Sequence, residues 1–334
     1  MPERPQGLPV PDMASSEIDL ADLYEQHSRE LLVHCYRMLG SFAEAEDLMQ
    51  ETFARAIKSL TTFEGRSTPR AWLYRIATNA CLDQLRKRKR RRVLPFDVMA
   101  PFTGTEPPPE GDWLWVEPFP DRLLTSDEPV TNAIQREALE LVFIAAIQHL
   151  TPRQRVVLIA RDYLDWSTEE TAELLETSGA AVKSALQRAR TTLASHLPAD
   201  REEWTAPTDV TDKERQVLER YIEAMAGDDL DAMAALLRED VRVAYPQIPI
   251  WSESRDTFIE ISAEEAPPGE YRFVATSANF QPAVAIYLKT PDDDRFRIVA
   301  LEVLTVRDGK ITEIVDYDLP DLYPSFGLEP AISG

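Results

Sequence analysis

The chain has 334 residues, 44% apolar side chains and a formal net charge of −22, with a sequence pI near 4.6. That length suits two or three domains, and that charge excludes a general nucleic-acid binder: positive charge has to be used locally. No apolar run approaches the ~18 residues of a membrane span, and Met1–Ser16 has no apolar signal core, so a cytoplasmic protein is expected.

Residues 17–92 read as consecutive helices, punctuated by Gly40 and Gly65. Ala43 to Leu60 is amphipathic, with Ala45, Leu48, Met49, Thr52, Phe53, Ala56 and Ile57 on one face. Glu44, Asp47, Glu51, Arg55 and Lys58 fall on the other. In the next helix Leu73, Ala77, Cys81 and Leu85 form an i+4 row, and Arg75, Asn79, Asp83 and Arg86 form a row roughly opposite. That polar row runs into seven consecutive basic residues, Arg86 to Arg92. Basic side chains at a helix end can neutralise phosphates, and Asn and Arg can bond base edges. Arg70, Trp72 and Tyr74 interleave cations with flat rings, which suits stacking on unpaired bases; Trp72 and Tyr74 also suit a core. Residues 51–100 carry 12 Lys and Arg against 4 Asp and Glu, whereas residues 201–334 carry 13 against 28. The two parts of the chain therefore have different partners.

Residues 93–129 are proline-rich, hold Phe96, Phe102, Trp113, Trp115 and Phe119, and carry eight acidic residues against one basic, Arg122. This composition predicts an extended linker and not a packed domain. Helix returns over 130–197, where Ile134, Leu141, Phe143, Ile144 and Ile147 form a core face over 134–149. Thr151-Pro152 starts a helix, and Ser167 with Glu170 makes a capping box for a short helix at Thr168 to Leu175. Thr177-Ser178-Gly179 forms a turn, with Ser178 as N-cap of a helix that buries Val182, Ala185, Leu186, Ala189 and Leu193. Lys183, Ser184, Gln187, Arg188 and Arg190 lie on its outer face, a helix-turn-helix arrangement. Ala180 is expected to pack against a neighbouring helix. A second linker follows at 198–208.

The segment 209–330 begins helical, at Lys213 to Gly227 and Leu230 to Leu237. Strand patterns follow at Val241 to Tyr245, Tyr271 to Ser277, Ala283 to Leu288, Phe296 to Val306 and Ile311 to Asp316, with Asp308-Gly309 as a hairpin turn. Two helices followed by a curved antiparallel sheet predict an α+β cone. Tyr245, Trp251, Asp316 and Tyr317 are candidate pocket residues. No His follows His196, and no catalytic residue is expected. His27, His34 and Cys35 match no zinc spacing, so neither a metal nor another cofactor is expected.

"AEDLMQETFARAI" followed by "RAWLYRIATNACLDQLRKRKRR" resembles region 2 of bacterial extracytoplasmic-function sigma factors, and "LTPRQRVVLIARDYLDWSTEETAELLETSGAAVKSALQRAR" resembles their region 4. "ERYIEAMAGDDLDAMAALLREDVRV" and "TVRDGKITEIVDYD" resemble the polyketide-cyclase-like (SnoaL-like) domains of the nuclear-transport-factor superfamily. The resemblance implies a multidomain chain: a disordered N-terminus at 1–16, a region 2 helical bundle at 17–92, a linker through the RNA path of polymerase, a region 4 helix-turn-helix module at 130–197 and a SnoaL-like regulatory domain at 209–330. It further implies that Asp47, Gln50 and Glu51 bind the clamp of core RNA polymerase, and that the region 4 module touches its flap. Asn79, Asp83, Arg86, Arg88 and Arg90, with the loop Thr61 to Pro69, would read the −10 promoter element. Arg70, Trp72 and Tyr74 would serve strand separation. Ser178, Lys183, Ser184, Gln187, Arg188 and Arg190 would contact the −35 element. The implied function is non-enzymatic: promoter recognition and opening, modulated by the C-terminal domain, which could hold a small ligand. A ligand-sensing helix-turn-helix activator is the alternative; it would not need the string around Asp47 to Glu51. A separate anti-sigma protein is neither required nor excluded by the sequence.

Overall fold

The structure, a computed structural model, describes residues 19–60, 67–88, 90–102, 113–124, 139–197, 210–264 and 267–333. The expectations for Met1–Ser16, the 61–66 part of the loop, Lys89, the middle of the first linker, 134–138 and the second linker lie outside these residues.

Helices α1 (Leu20–Leu39), α2 (Phe42–Ser59) and α3 (Pro69–Lys87) start at side-chain caps from Asp19, Ser41 and Thr68. They bury Leu31, Tyr36, Phe42, Phe53, Leu73 and Ala77 against one another. Gly40 ends α1 at φ +66, and a Cβ there would stand 3.1 Å from Gln148. The chain then forms β1 (Arg92–Val93), parallel to β2 (Leu114–Trp115). Next come α4 (Leu141–Ile147), α5 (Pro152–Leu158) with a π turn at Ile159–Tyr163, α6 (Thr168–Leu174) and α7 (Gly179–Ala194). Capping boxes stand at Thr151–Gln154 and Ser167–Glu170, and Ser178 caps α7.

The C-terminal domain opens with α8 (Asp212–Ala226) and α9 (Leu230–Leu236). Then follow β3 (Leu237–Tyr245), β4 (Ile250–Glu253), α10 (Arg255–Glu264), β5 (Glu270–Ala278), β6 (Gln281–Lys289), β7 (Phe296–Arg307), β8 (Lys310–Tyr317) and β9 (Ala331–Ile332). The sheet order is β4-β3-β8-β7-β6-β5, with β9 on β7. It is mixed, not antiparallel throughout: β3 lies parallel to β8, because the intervening chain crosses to the far side before returning. Asp308 and Gly309 both take positive φ in the β7–β8 turn, as their pairing predicts.

The sheet is buried on both faces. Val243, Val284, Leu304 and Ile314 pack under α8, α9 and α10. Ala285, Leu301, Val303, Val315 and Tyr317 face the other way and join one continuous core with the helices of both N-terminal modules. Side chains from the described parts of the first linker join this core: Leu94, Val116 and Phe119 are fully buried. The extended tether expected from composition is thus packed where it is described, because its apolar side chains find a three-way junction to fill. Among the described residues no helix is long and apolar enough to cross a membrane.

The tip of the β5–β6 hairpin holds the junction. Asn279 is fully buried, and its side chain accepts from the Phe119 N–H (2.7 Å) and donates to Tyr36 Oη (2.8 Å) and the Leu139 carbonyl (2.6 Å). Its backbone N–H donates to the Phe119 carbonyl (3.0 Å). One amide therefore bonds the three-helix bundle, the linker and the start of the next helical module. Phe280, beside it, is held at φ +57, a conformation costly for a bulky residue. Both carboxylate oxygens of Asp121 accept its N–H, at 2.9 and 3.0 Å. Gln281 accepts the N–H of Leu141 (3.0 Å), so a side chain of the sheet caps α4. Glu117 of the linker takes the Ser41 hydroxyl (2.8 Å) and the Ala43 N–H (3.2 Å) at the start of α2. Buried Arg155 and Gln148 donate to the Met38 and Arg37 carbonyls at the end of α1.

On the helical side of the sheet, Tyr221 donates to Glu302 (3.0 Å), and Glu302 stands in register with Asp316. Burial first, then the charge of Asp316, pushes Glu302 up to about 8 against the Tyr221 hydrogen bond. Neither Tyr221 nor Glu302 was singled out by sequence; each occupies an ordinary inward position in a helix or strand pattern.

Asn279→Ala strands buried partners in three segments and leaves a Cβ-bearing residue without a compensating bond at φ +57. It should lower the unfolding free energy by about 3 kcal/mol. Urea unfolding followed by near-UV circular dichroism measures this, and a loss below about 1 kcal/mol would contradict the junction's role. Glu302 binds its proton more tightly in the folded chain than in the unfolded one. Stability should therefore fall as pH rises from about 5 to about 8 and level off above that, and Glu302→Gln should reduce that slope in the same assay, with Asp316, also raised by burial, supplying the remainder.

Candidate nucleic-acid and polymerase interface

Helical spacing sets Arg75, Asn79, Asp83 and Arg86 along one flank of α3. Arg75, Asn79 and Arg86 are exposed, while half-buried Asp83 accepts from Arg86 at 2.6 Å. Arg70 grips Glu30 through two nitrogens (2.7 and 2.9 Å) and lies over the Tyr74 ring. Trp72 is half-exposed against the core. Tyr74, expected on the stacking surface, is instead 1% exposed, edge-on to His34 and to Trp166 of the second helical module. The reason is its spacing: 74, 78, 81 and 85 form the i, i+4, i+7, i+11 stripe that α3 turns inward.

The basic run divides. Arg86, Lys87, Arg90 and Arg91 are exposed. Arg88 and Arg92 turn inward, which corrects the expected DNA role of Arg88 in this arrangement. Arg88 pairs with Glu44 and donates to the Leu39 carbonyl (3.1 Å); Arg92 pairs with Glu117 (2.9 Å) and Glu44 (3.4 Å). The helix ends at Arg88 in extended geometry, which turns these guanidinium groups into the gap between α1, α2 and β2. On α2, Asp47, Gln50 and Glu51 are exposed together, with Glu51 on Arg55 (2.6 Å). Ile57, one heptad on from Gln50, is 62% exposed. An acidic flank beside uncovered apolar surface is suited to a protein partner.

On α7, Ser178 accepts the Ala181 N–H (3.2 Å), and Lys183, Ser184, Gln187 and Arg188 are exposed. Ala180 is exposed too, contrary to the packing expected for it. Arg188 donates to Ser184 (2.6 Å), and Arg190 is drawn back onto Asp162 (2.6 and 2.9 Å). Glu176, in the turn before α7, reaches Arg75 of α3 at 2.9 Å. The turn of the helix-turn-helix therefore adjoins α3.

The four candidate pocket residues do not converge. Tyr245 packs with the helical side of the sheet, and Asp316 stands in register with Glu302 there. Trp251 and Tyr317 belong to the opposite face. Trp251 anchors the linker, donating to the Met99 carbonyl (2.9 Å) and accepting the Phe102 N–H (2.6 Å) on its own carbonyl. Neighbouring strand residues point to opposite faces, so Asp316 and Tyr317 cannot line one cavity. His27 bonds Glu30 (2.6 Å), His34 bonds Thr78 (2.9 Å), and Cys35 is buried; the three do not gather into a metal-binding set.

Three families match the chain: Sigma-70 region 2 over residues 23–91, Sigma-70 region 4 over 140–193, and the SnoaL-like domain over 218–314. The ECF RNA polymerase sigma factor SigG of Mycobacterium tuberculosis is 37% identical over 92% of this chain and 83% of its own length. SigJ of the same organism is 28% identical over 92% of this chain and 94% of its own. The crystal structure of SigJ superposes with a TM-score of 0.60 at 22% identity, covering 92% of this chain and all of that one, and shares its fold. The chain thus belongs to the extracytoplasmic-function group of RNA polymerase sigma factors, with a SnoaL-like domain following its region 4.

Proposed function

We propose that this sigma factor holds its −10 and −35 readers together while free and opens when it joins core polymerase. The observation that carries the proposal is the 2.9 Å contact between Arg75 on α3 and Glu176 before α7. Promoter elements centred at −10 and −35 lie ~25 base pairs apart, about 85 Å along B-DNA. A helix-turn-helix whose turn touches α3 cannot sit on one element while α3 sits on the other. The closed form described here is therefore a resting state, and transcription requires the modules to part.

Within this scheme Asn79, Asp83, Arg86 and Arg90 read the −10 region, with Arg70 and Trp72 aiding strand separation. Tyr74 and Arg88 join them only after rearrangement. Ser178, Lys183, Ser184, Gln187 and Arg188 serve the −35 element, and Arg190 joins when it leaves Asp162. Asp47, Gln50 and Glu51 dock on the polymerase clamp, and region 4 meets the flap. The C-terminal domain sets the balance between closed and open forms through the Asn279 junction, since a partner that binds only the open form shifts the equilibrium by its differential affinity. The chain acts by binding and not by catalysis, in the cytoplasm with its polymerase. The exposed α2 flank favours this over a ligand-sensing activator, which would leave that flank without a use.

An exposed ion pair contributes little, so Arg75→Cys and Glu176→Cys should each transcribe near normally. Joining both with a short bismaleimide, while Cys35 and Cys81 stay buried, should cut runoff transcription with core polymerase at least tenfold. Undiminished transcription by the joined chain would remove the closed-state reading. Lys183→Ala and Arg188→Ala should each lower transcription from a −35-dependent promoter about tenfold, the loss of one good base or phosphate contact. Both side chains are exposed, so thermal melting should not change.

A further inference from the structure

A cavity of about 410 Å³ opens where the linker, region 4 and the outer face of the sheet meet. Phe96 and Asp97 form one wall, Ala145 and Ala146 of α4 another, and Arg242 and Glu313 of β3 and β8 the floor. It lies apart from the exposed flanks of α2, α3 and α7. Its size falls in the range that holds a small metabolite.

The charges on its walls are unequally committed. Arg242 pairs with one oxygen of Glu313 and lies over the Phe96 ring at 4.4 Å. Arg238 pairs with Asp240, and Arg307 pairs with Glu140 at 2.8 Å. Glu313 is 3% exposed, yet its Oε1 has no hydrogen-bond partner. Asp97 uses one oxygen on the Leu94 N–H (2.9 Å). Burial holds Glu313 above the usual carboxylate range, with Arg242 opposing and Asp97 adding to the rise. A buried carboxylate oxygen without a donor is costly, and a cationic donor in the adjoining space relieves that cost.

We infer that this inter-module cavity is a binding site for a small organic cation, an ammonium- or guanidinium-bearing metabolite, anchored on Glu313. The site takes its walls from three parts of the chain, so it exists only in the closed arrangement. Its occupant would hold sigma closed, and by linkage polymerase would weaken its binding.

Agmatine is the probe, with neutral 1,5-pentanediol as control, titrated calorimetrically into the full chain without polymerase or DNA. The linkage rests on the proposed closed state: failure here leaves the transcription reading untouched, and failure of the crosslinking test removes the linkage while the binding site itself is still decided by calorimetry. At a net charge of −22 the surface attracts any cation, so the variants carry the decision. Saturable binding of one agmatine per chain is expected, weakened at least tenfold by Glu313→Gln, which removes the anchor, and by Ala146→Leu, which fills the space. Near-UV circular dichroism confirms that each variant is folded. No binding to the native chain, equal binding of the diol, or retained binding in folded Ala146→Leu overturns the site. Loss in Ala146→Leu with full retention in Glu313→Gln overturns its assignment to a cation.

Discussion

A single buried amide, Asn279, carries the tertiary arrangement. Its four hydrogen bonds reach α1, the linker and the segment entering α4, and none of these partners is its own neighbour in sequence. Satisfying a buried amide fully is stabilising, and leaving it partly satisfied is worse than having no amide there. The hairpin tip is therefore all-or-none. It also carries strain: Phe280 sits at positive φ and is kept there by the Asp121 carboxylate. Such strain persists only where the surroundings over-determine it, and here they come from separate modules.

The same logic recurs around the junction. Gln281 caps α4, Glu117 caps α2, and Arg155 with Gln148 serves the carbonyl end of α1. In each case a helix end left unsatisfied by its own sequence is completed from another module. The outer face of the sheet supplies the apolar half, sharing a core with both helical modules. On the proposed opening, caps and core would have to break together, so intermediate degrees would be disfavoured and the chain would behave as a two-position device.

Much of the architecture was legible in the sequence because it rests on local signals. The Thr151-Pro152 helix start, the capping box at Ser167, the Ser178 cap, the Asp308-Gly309 hairpin and the α8 and α9 patterns need only nearby residues. What was missed is non-local. Tyr74 is the local exception: its place beside Trp72 suggests stacking, but the i, i+4, i+7 stripe of α3 puts it in the core, which its side chain also suits. Arg88 and Arg92 look like the rest of a basic run, and only the approach of Glu44 and Glu117 separates them from it. The linker reads as a tether because most of its partners lie between 74 and 203 residues away. Asn279-Phe280 is not a favoured hairpin pair, so nothing in it signals a turn; its geometry makes sense only with Asp121 and Phe119 in place.

The shared core between sheet and helices has a further consequence for how such a fusion persists. Tyr36, Phe42 and Phe119 pack on one another where α1, α2 and the linker meet the hairpin tip of the third domain. Removing that domain would uncover part of this shared core and leave a sticky remnant prone to aggregation. The appended domain would thus protect the solubility of the helical modules, a role apart from any signal it carries.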